Sequence, residues 1–290
     1  VGSETGDAVF LGYSQAELDR QYDQSQWSKC PPAAYSEQYL EMSAAARTAV
    51  GEPVLGSYGQ GEVEKIDIFP AAKAGSPVLL FIHGGAWRGL DRRHGGYAAE
   101  YMVRNGITYG AVDFSVMPGV DMPTMIGQLR RAVAWVHANA HRFCGDPDRI
   151  YIAGHSSGAH MAGCAVTTDW ACAHGLPTDV IKGALLCSGG YDLEPVRLSA
   201  RNSYMHLTPE MVRDYSPTRN LDRLGCPVVL AAGERESPDF FRQSRDLAAA
   251  LDQPLHVATD LDHFEVSLTL ARPGGLLADL ALDMIHGPKA

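Results

Sequence analysis

The stretch Arg149-Ile150-Tyr151-Ile152-Ala153-Gly154-His155-Ser156-Ser157-Gly158-Ala159-His160 decides how this chain is read. It passes from an apolar, β-branched run through a Gly-x-Ser-x-Gly turn into the helical pattern AHMAGCAVTTDW. A serine becomes a useful nucleophile when a tight strand-to-helix turn lifts its hydroxyl above a sheet. Such a turn demands small residues two positions to either side, where a Cβ would collide with backbone. Gly154 and Gly158 meet that demand, so Ser156 is the candidate nucleophile. The helix that follows aims its free N–H groups and positive dipole end at the same point. With 30 glycines the pattern could arise by chance. The strand before it and the helix after it argue otherwise.

Working outward, short apolar runs at 63–69, 77–82, 107–113, 149–154, 181–188, 227–233 and 255–260 alternate with helical patterns. The segment 122–141 carries Ile126, Leu129, Val133 and Val136 on one stripe. Strands alternating with helices predict an α/β fold, a mostly parallel sheet covered on both faces. PVLLFI, IYIAG and PVVLAAG are apolar throughout, as doubly covered strands should be. One domain is expected over 52–290, preceded by a helical extension over 1–51 that could act as a cap. In that extension Ser14 is expected to cap a helix reaching Trp27, and Ser36 a second helix ending near Gly51. The segment 194–222 is long and poorly periodic, either an ordinary connection or a lid over a site.

The chain has 290 residues, 24 Lys+Arg against 34 Asp+Glu, and 46% apolar residues. That length supports a full core without staples. A net charge of −10 lacks the basic stripe of a nucleic-acid binder and the polybasic helix of a membrane-surface binder. No apolar run reaches the roughly 18–20 residues of a spanning helix. The six cysteines are scattered without a C-x-x-C pair, and Cys164 and Cys187 sit in apolar stretches. They read as buried free thiols in a reduced, cytoplasmic setting.

His83-Gly84-Gly85-Ala86-Trp87 follows the run PVLLFI. Acyl transfer builds negative charge on a carbonyl oxygen, which fixed backbone N–H donors stabilise best. Gly84 and Gly85, with the N–H of Ser157, are the expected oxyanion hole. A serine also needs a base and an orienting acid, in the chain order serine, acid, histidine at successive strand ends. His263, in a loop after the last expected strand, is the candidate base, whereas His256 lies within a strand pattern and His286 near the terminus. For the acid, Glu236 leads, Asp239 is the runner-up and Glu234 trails.

Taken together HGGAW, GHSSGAH, SGGYDLEP, the SP of DYSP, GERESPDFFRQS and DHFEV resemble the α/β-hydrolase esterases of the kynurenine formamidase (arylformamidase) type. The resemblance covers some two-thirds of the chain, from about Pro77 to Phe264. It implies an α/β-hydrolase fold, Ser156 as nucleophile, Glu236 as acid, His263 as base and the HGG turn as oxyanion hole. Two departures stand out. The acid position is usually Asp in that family and is Glu here, which keeps Asp239 open. The pocket segment of the family reads Asp113-Phe114-Ser115-Val116-Met117-Pro118 in this chain, and HGGAW differs from the HGGG of lipase-like relatives.

The expected activity is hydrolysis of small carboxylic esters through an acyl-enzyme, with arylformamidase as the alternative; a non-catalytic binding protein on the same scaffold is the rival from another class. The partner is a small ester or amide, with neither nucleic acid nor membrane expected, and a homodimer is compatible with the sequence. No cofactor and no metal are expected. His137 and His141 have ligand-like spacing but lack the glutamate of a zinc helix. Gly56-Ser57-Tyr58-Gly59-Gln60-Gly61 has its glycines in the wrong order for a dinucleotide turn. His155 and His160 read as packing or pocket lining. Trp87, Phe114, Met117, Tyr191 and Phe264, all near expected strand ends, are the candidate pocket walls.

Overall fold

The computed structural model describes residues 7–288. Eight strands form one sheet: β1 (Val54–Ser57), β2 (Lys65–Phe69), β3 (Ser76–Ile82), β4 (Thr108–Val112), β5 (Gly145–His155), β6 (Ile181–Cys187), β7 (Val228–Gly233) and β8 (Leu255–Ala258). Their spatial order is β1-β2-β4-β3-β5-β6-β7-β8. Pairing is antiparallel for β1–β2 and β2–β4 and parallel from β4 to β8. Seven of the strands follow the apolar runs of the sequence. β1 was not among them, because Val-Leu-Gly-Ser at the sheet's edge leaves Val54 and Leu55 about half exposed.

The helices are α1 (Gln15–Gln21), α2 (Pro32–Val50), α3 (Ala99–Arg104), α4 (Met122–Asn139), α5 (Ser157–Val166) and α6 (Trp170–His174). Then come α7 (Glu194–Leu198), α8 (Asn202–Met205), α9 (Pro209–Tyr215), α10 (Pro238–Ala250), α11 (Glu265–Leu268) and α12 (Leu276–His286). Ser14 does cap α1, in a capping box with Glu17, but that helix stops at Gln21 and a separate 3₁₀ turn carries Gln24–Trp27. The second helix begins earlier than expected. Pro32 occupies its first turn, where a missing N–H costs nothing, and Ser36 lies inside the helix.

Alternation along β3 shows how the sheet feeds two cores. Val78, Leu80 and Ile82 belong to a cluster with α4, α5 and α10, while Leu79 and Phe81 belong to one with α2, α3 and α12. Both faces are thereby covered, and the carboxyl ends of the parallel strands are left for a site. Among the described residues no helix is long and apolar enough to cross a membrane. Cys164, Cys187 and Cys226 are buried free thiols, and Cys144 is partly covered.

Candidate active site

The ends of five neighbouring strands, β3, β5, β6, β7 and β8, supply the site. β5 runs directly into Ser156, whose φ of 56° and ψ of −125° put a non-glycine residue in a strained conformation. The surrounding backbone forces this turn. A Cβ on Gly154 would lie 2.3 Å from the Gly158 carbonyl oxygen, and one on Gly158 would lie 2.1 Å from the Ile82 oxygen. The Ser156 N–H donates to the Cys187 carbonyl of β6 at 2.9 Å, tying the turn to the next strand.

The HGG turn at the end of β3 lies against this serine. A Cβ on Gly84 would come within 3.1 Å of both the His155 carbonyl oxygen and Ser156 Cβ. Gly85 has φ of +110°, and a Cβ there would meet the Gly89 oxygen at 2.1 Å. Ser157 opens α5, so its N–H has no acceptor within the helix. Gly84 thus lies against the nucleophile, Gly85 follows it on the cavity wall, and Ser157 is next to the nucleophile in the chain.

His263 Nε2 lies 2.8 Å from Ser156 Oγ. Its Nδ1 faces Glu236 Oε2 at 3.6 Å, and both atoms are buried without another partner. The other carboxylate oxygen of Glu236 accepts from Ser188 Oγ and, at 2.9 Å, from the Gly233 N–H. The acid alternatives are engaged elsewhere. Asp239 is fully buried but bound by Tyr22 Oη at 2.6 Å and by Arg242 at 2.7 Å. Glu234 is exposed and accepts from the Asp260 N–H at 2.8 Å. Of the three carboxylates, Glu236 is the one turned towards His263.

Three other histidines frame the site in neutral form. His155 donates Nε2–H to the His263 carbonyl at 2.6 Å, and burial, reinforced by nearby His263, lowers its pKa to about 3. His160 donates Nε2–H to the Tyr215 carbonyl at 2.7 Å and accepts from Trp87 Nε1 at 3.1 Å; burial lowers its pKa to about 4. His83 stacks on Phe114 with ring centroids 4.3 Å apart, and burial lowers its pKa to about 4 as well.

Ser156 and His263 open onto a cavity of about 670 Å³. Of the five expected wall residues only Phe264 lines it. Trp87, Phe114, Met117 and Tyr191 do not reach it and pack in the cluster on the α4, α5 and α10 face. Left-handed φ values at Ala86 and Trp87 turn the indole inwards to His160, and Met117 donates its N–H to the Trp87 carbonyl at 2.8 Å beneath it. Phe114 is occupied by His83, and the Tyr191 ring fills the space beside Gly189, where a Cβ would lie 2.5 Å from it.

The actual walls come from elsewhere. Tyr39, Phe81, Tyr97 and Leu90 form an aromatic and apolar side. The 194–222 segment folds into α7, α8, α9 and short 3₁₀ turns, and its Ala200, Arg201, Ser203 and Tyr204 form part of the roof. Tyr204 Oη donates to the Ala86 carbonyl at 3.0 Å, so this roof is fastened to the HGG turn. The N-terminal extension contributes Asp19, Tyr22, Asp23, Gln24 and Ser25. A signal for this helix was present in the sequence, Tyr35 and Tyr39 at i,i+4 on one face of a pattern otherwise rich in Ala, Ser and Glu, and of the two Tyr39 lines the cavity.

A family profile described as BD-FAE matches residues 66–174. The chain is 32% identical to the kynurenine formamidase of Danio rerio, across 94% of this chain and 97% of that protein. It is 28% identical to esterase LipC of Mycobacterium tuberculosis, over 67% of this chain and 53% of that protein. Among solved structures, a proposed thioesterase from a Silicibacter species superposes with a TM-score of 0.82 at 24% identity, covering 93% of this chain and 99% of that one. The thermostable carboxylesterase EstE1, cloned from a metagenomic library, superposes with a TM-score of 0.68 at 20% identity, covering 90% and 99%. The sheet order, the elbow at β5 and a match running nearly end to end agree: this chain is an α/β hydrolase and belongs to the kynurenine formamidase family.

Proposed function

We propose that the chain is a serine hydrolase cleaving the formyl group from aryl formamides of the N-formyl-kynurenine kind. The observation that carries this reading is the 2.8 Å contact between Ser156 Oγ and His263 Nε2 on the wall of an aromatic-sided cavity. Ser156 attacks the formyl carbon while His263 Nε2 takes the hydroxyl proton. The N–H groups of Gly84, Gly85 and Ser157 receive the oxyanion, and Glu236 stabilises the imidazolium through Nδ1. His263 returns the proton to the departing aryl amine. A water then gives its proton to His263 and its oxygen to the formyl-enzyme, releasing formate and restoring Ser156.

Tyr39, Phe81, Tyr97 and Phe264 contribute an aromatic side to the cavity, in keeping with an aryl leaving group. The full-length match to a formamidase includes the N-terminal segment that helps wall the cavity, whereas the LipC match covers two-thirds of the chain. A second reading, hydrolysis of small aryl esters, draws on the same residues and on the esterase relatives. An ester expels a better leaving group through the same tetrahedral intermediate, so the two activities differ in degree.

The test is kcat/KM for N-formyl-kynurenine and for p-nitrophenyl acetate on one preparation, with Ser156→Ala alongside. Formamide cleavage at comparable or higher efficiency, reduced at least about 1000-fold in Ser156→Ala, is the expected result. Ester turnover with negligible formamide cleavage would favour the second reading. No turnover of either, with no labelling of Ser156 by a fluorophosphonate, would overturn the hydrolase assignment in favour of a binding role.

A further inference from the structure

The segment 21–39 grips both loops that carry the histidine and the glutamate. On the histidine side, buried Asp262 accepts four hydrogen bonds. Two come from its own turn, the N–H groups of Phe264 and Glu265 at 2.9 Å each. The other two come from the extension, the Lys29 N–H at 2.8 Å and Tyr35 Oη at 2.7 Å. Tyr39 Oη donates to the Phe264 carbonyl at 2.9 Å, Tyr35 stacks on the Phe264 ring, and Lys29 pairs with Glu265 at 2.8 Å. His263 therefore sits between two residues that are both tied to the extension.

On the glutamate side the same segment binds the residue next to Glu236. Ser237 Oγ donates to the Gln21 carbonyl at 2.6 Å, and Gln24 Nε2 donates back to Ser237 Oγ at 2.9 Å. The Asp239 N–H donates to Gln21 Oε1 at 3.0 Å, and Tyr22 Oη donates to Asp239 Oδ2 at 2.6 Å while accepting from Gln243 Nε2. Tyr22 is almost wholly buried and Tyr35 is 5% exposed. These are built contacts, since each hydroxyl is matched to a particular oxygen.

We propose that Tyr22 and Tyr35 are positioning residues that set the distance between Glu236 and His263. That distance, 3.6 Å, is longer than an N–H···O hydrogen bond. Displacement of either loop by a few tenths of an ångström decides whether the bond forms when the imidazole becomes charged. Neither β7 nor β8 fixes the loops alone, because Glu236 and His263 lie beyond the strands, at three and five residues past their ends. The extension thus acts on the reaction through the acid–base pair as well as through the cavity wall. This inference rests on the triad reading above.

The experiment uses the full chain with Tyr35→Phe, Tyr22→Phe and the double variant, each change removing one hydroxyl and keeping the ring. Three quantities are read: kcat and KM on p-nitrophenyl acetate, the rate of Ser156 labelling by a fluorophosphonate, and Tm. Each single variant is expected to lose about tenfold in kcat and in labelling rate, with KM within twofold and Tm within about 3 °C of the parent. Labelling and kcat within twofold of the parent in both single variants would overturn the proposal while leaving the hydrolase reading intact. Losses in kcat that track losses in Tm across the three variants would overturn it too, as the mark of a merely structural role. If the parent itself is neither labelled nor active, the hydrolase reading fails first and takes the inference with it.

Discussion

The serine and the histidine–glutamate pair are held by different physics. Ser156 is fixed by exclusion: the backbone of β3 and α5 leaves no room at Gly154 or Gly158, and the turn has one way to pass. Around His263 and Glu236 the hold is attraction: Ser188 and the Gly233 N–H donate to Glu236, and Lys29 and Tyr35 of the extension donate to Asp262 beside His263. Exclusion acts at contact distance, from the next turn at Gly154 and from β3 at Gly158. Attraction here reaches across more than two hundred residues of sequence, from Lys29 and Tyr35 to Asp262.

The sharpest way to break this contrast is Gly158→Ala. Its methyl would lie 2.1 Å from the Ile82 oxygen and 2.5 Å from the His83 oxygen, with backbone on both sides and no flexible group to yield. A loss of about 3 kcal/mol is expected, seen as a Tm lower by roughly 6–12 °C together with loss of Ser156 labelling. A variant that melts and labels like the parent would show that the turn is not held sterically.

Acid tests the buried histidines around the elbow. His83, His155 and His160 have folded pKa values of about 4, 3 and 4, below the unfolded 6.5. Below pH 6.5 the unfolded chain binds protons that the folded chain refuses, so stability is fully present above that pH and is lost as pH falls towards 4. Each histidine contributes a loss of about 2 kcal/mol by pH 5. Melts between pH 7.5 and 4.5 should show Tm dropping through this window. A flat profile would mean that these rings are protonated in place.

The gentlest test is Ser188→Ala, which removes one of two donors to Glu236 and leaves the Gly233 N–H. A cost of about 1 kcal/mol in stability and about tenfold in kcat, with KM unchanged, is expected if the pair is held by attraction. An unaltered kcat would assign the hold on Glu236 to the backbone alone.

The same contrast explains what the sequence disclosed. Steric demands write themselves as glycines at fixed spacing, so the elbow, the HGG turn and seven of the eight strands were legible. His263 and Glu236 followed from chain order and strand ends. The pocket was not legible from local pattern, because a side chain at a strand end can turn inwards or outwards. Trp87 turned inwards on two left-handed residues that no local motif required, and Tyr191 and Phe114 found partners of their own. Tyr97 and Arg201 reach the cavity from segments far from the nucleophile in the chain, where only the tertiary arrangement reveals what they face.

The roof over the cavity comes from two stretches that contribute no strand to the sheet, the extension before β1 and the segment between β6 and β7. The groups expected to make and break bonds stand on or beside the sheet. Much of the cavity wall is therefore written in parts of the gene that do not encode the nucleophile, the base or the acid. Inheritance can rewrite Ala200, Arg201, Ser203 or Tyr204 on the segment between β6 and β7, and so hand the same bond-breaking apparatus a new clientele, whereas a change in the extension reaches the apparatus as well.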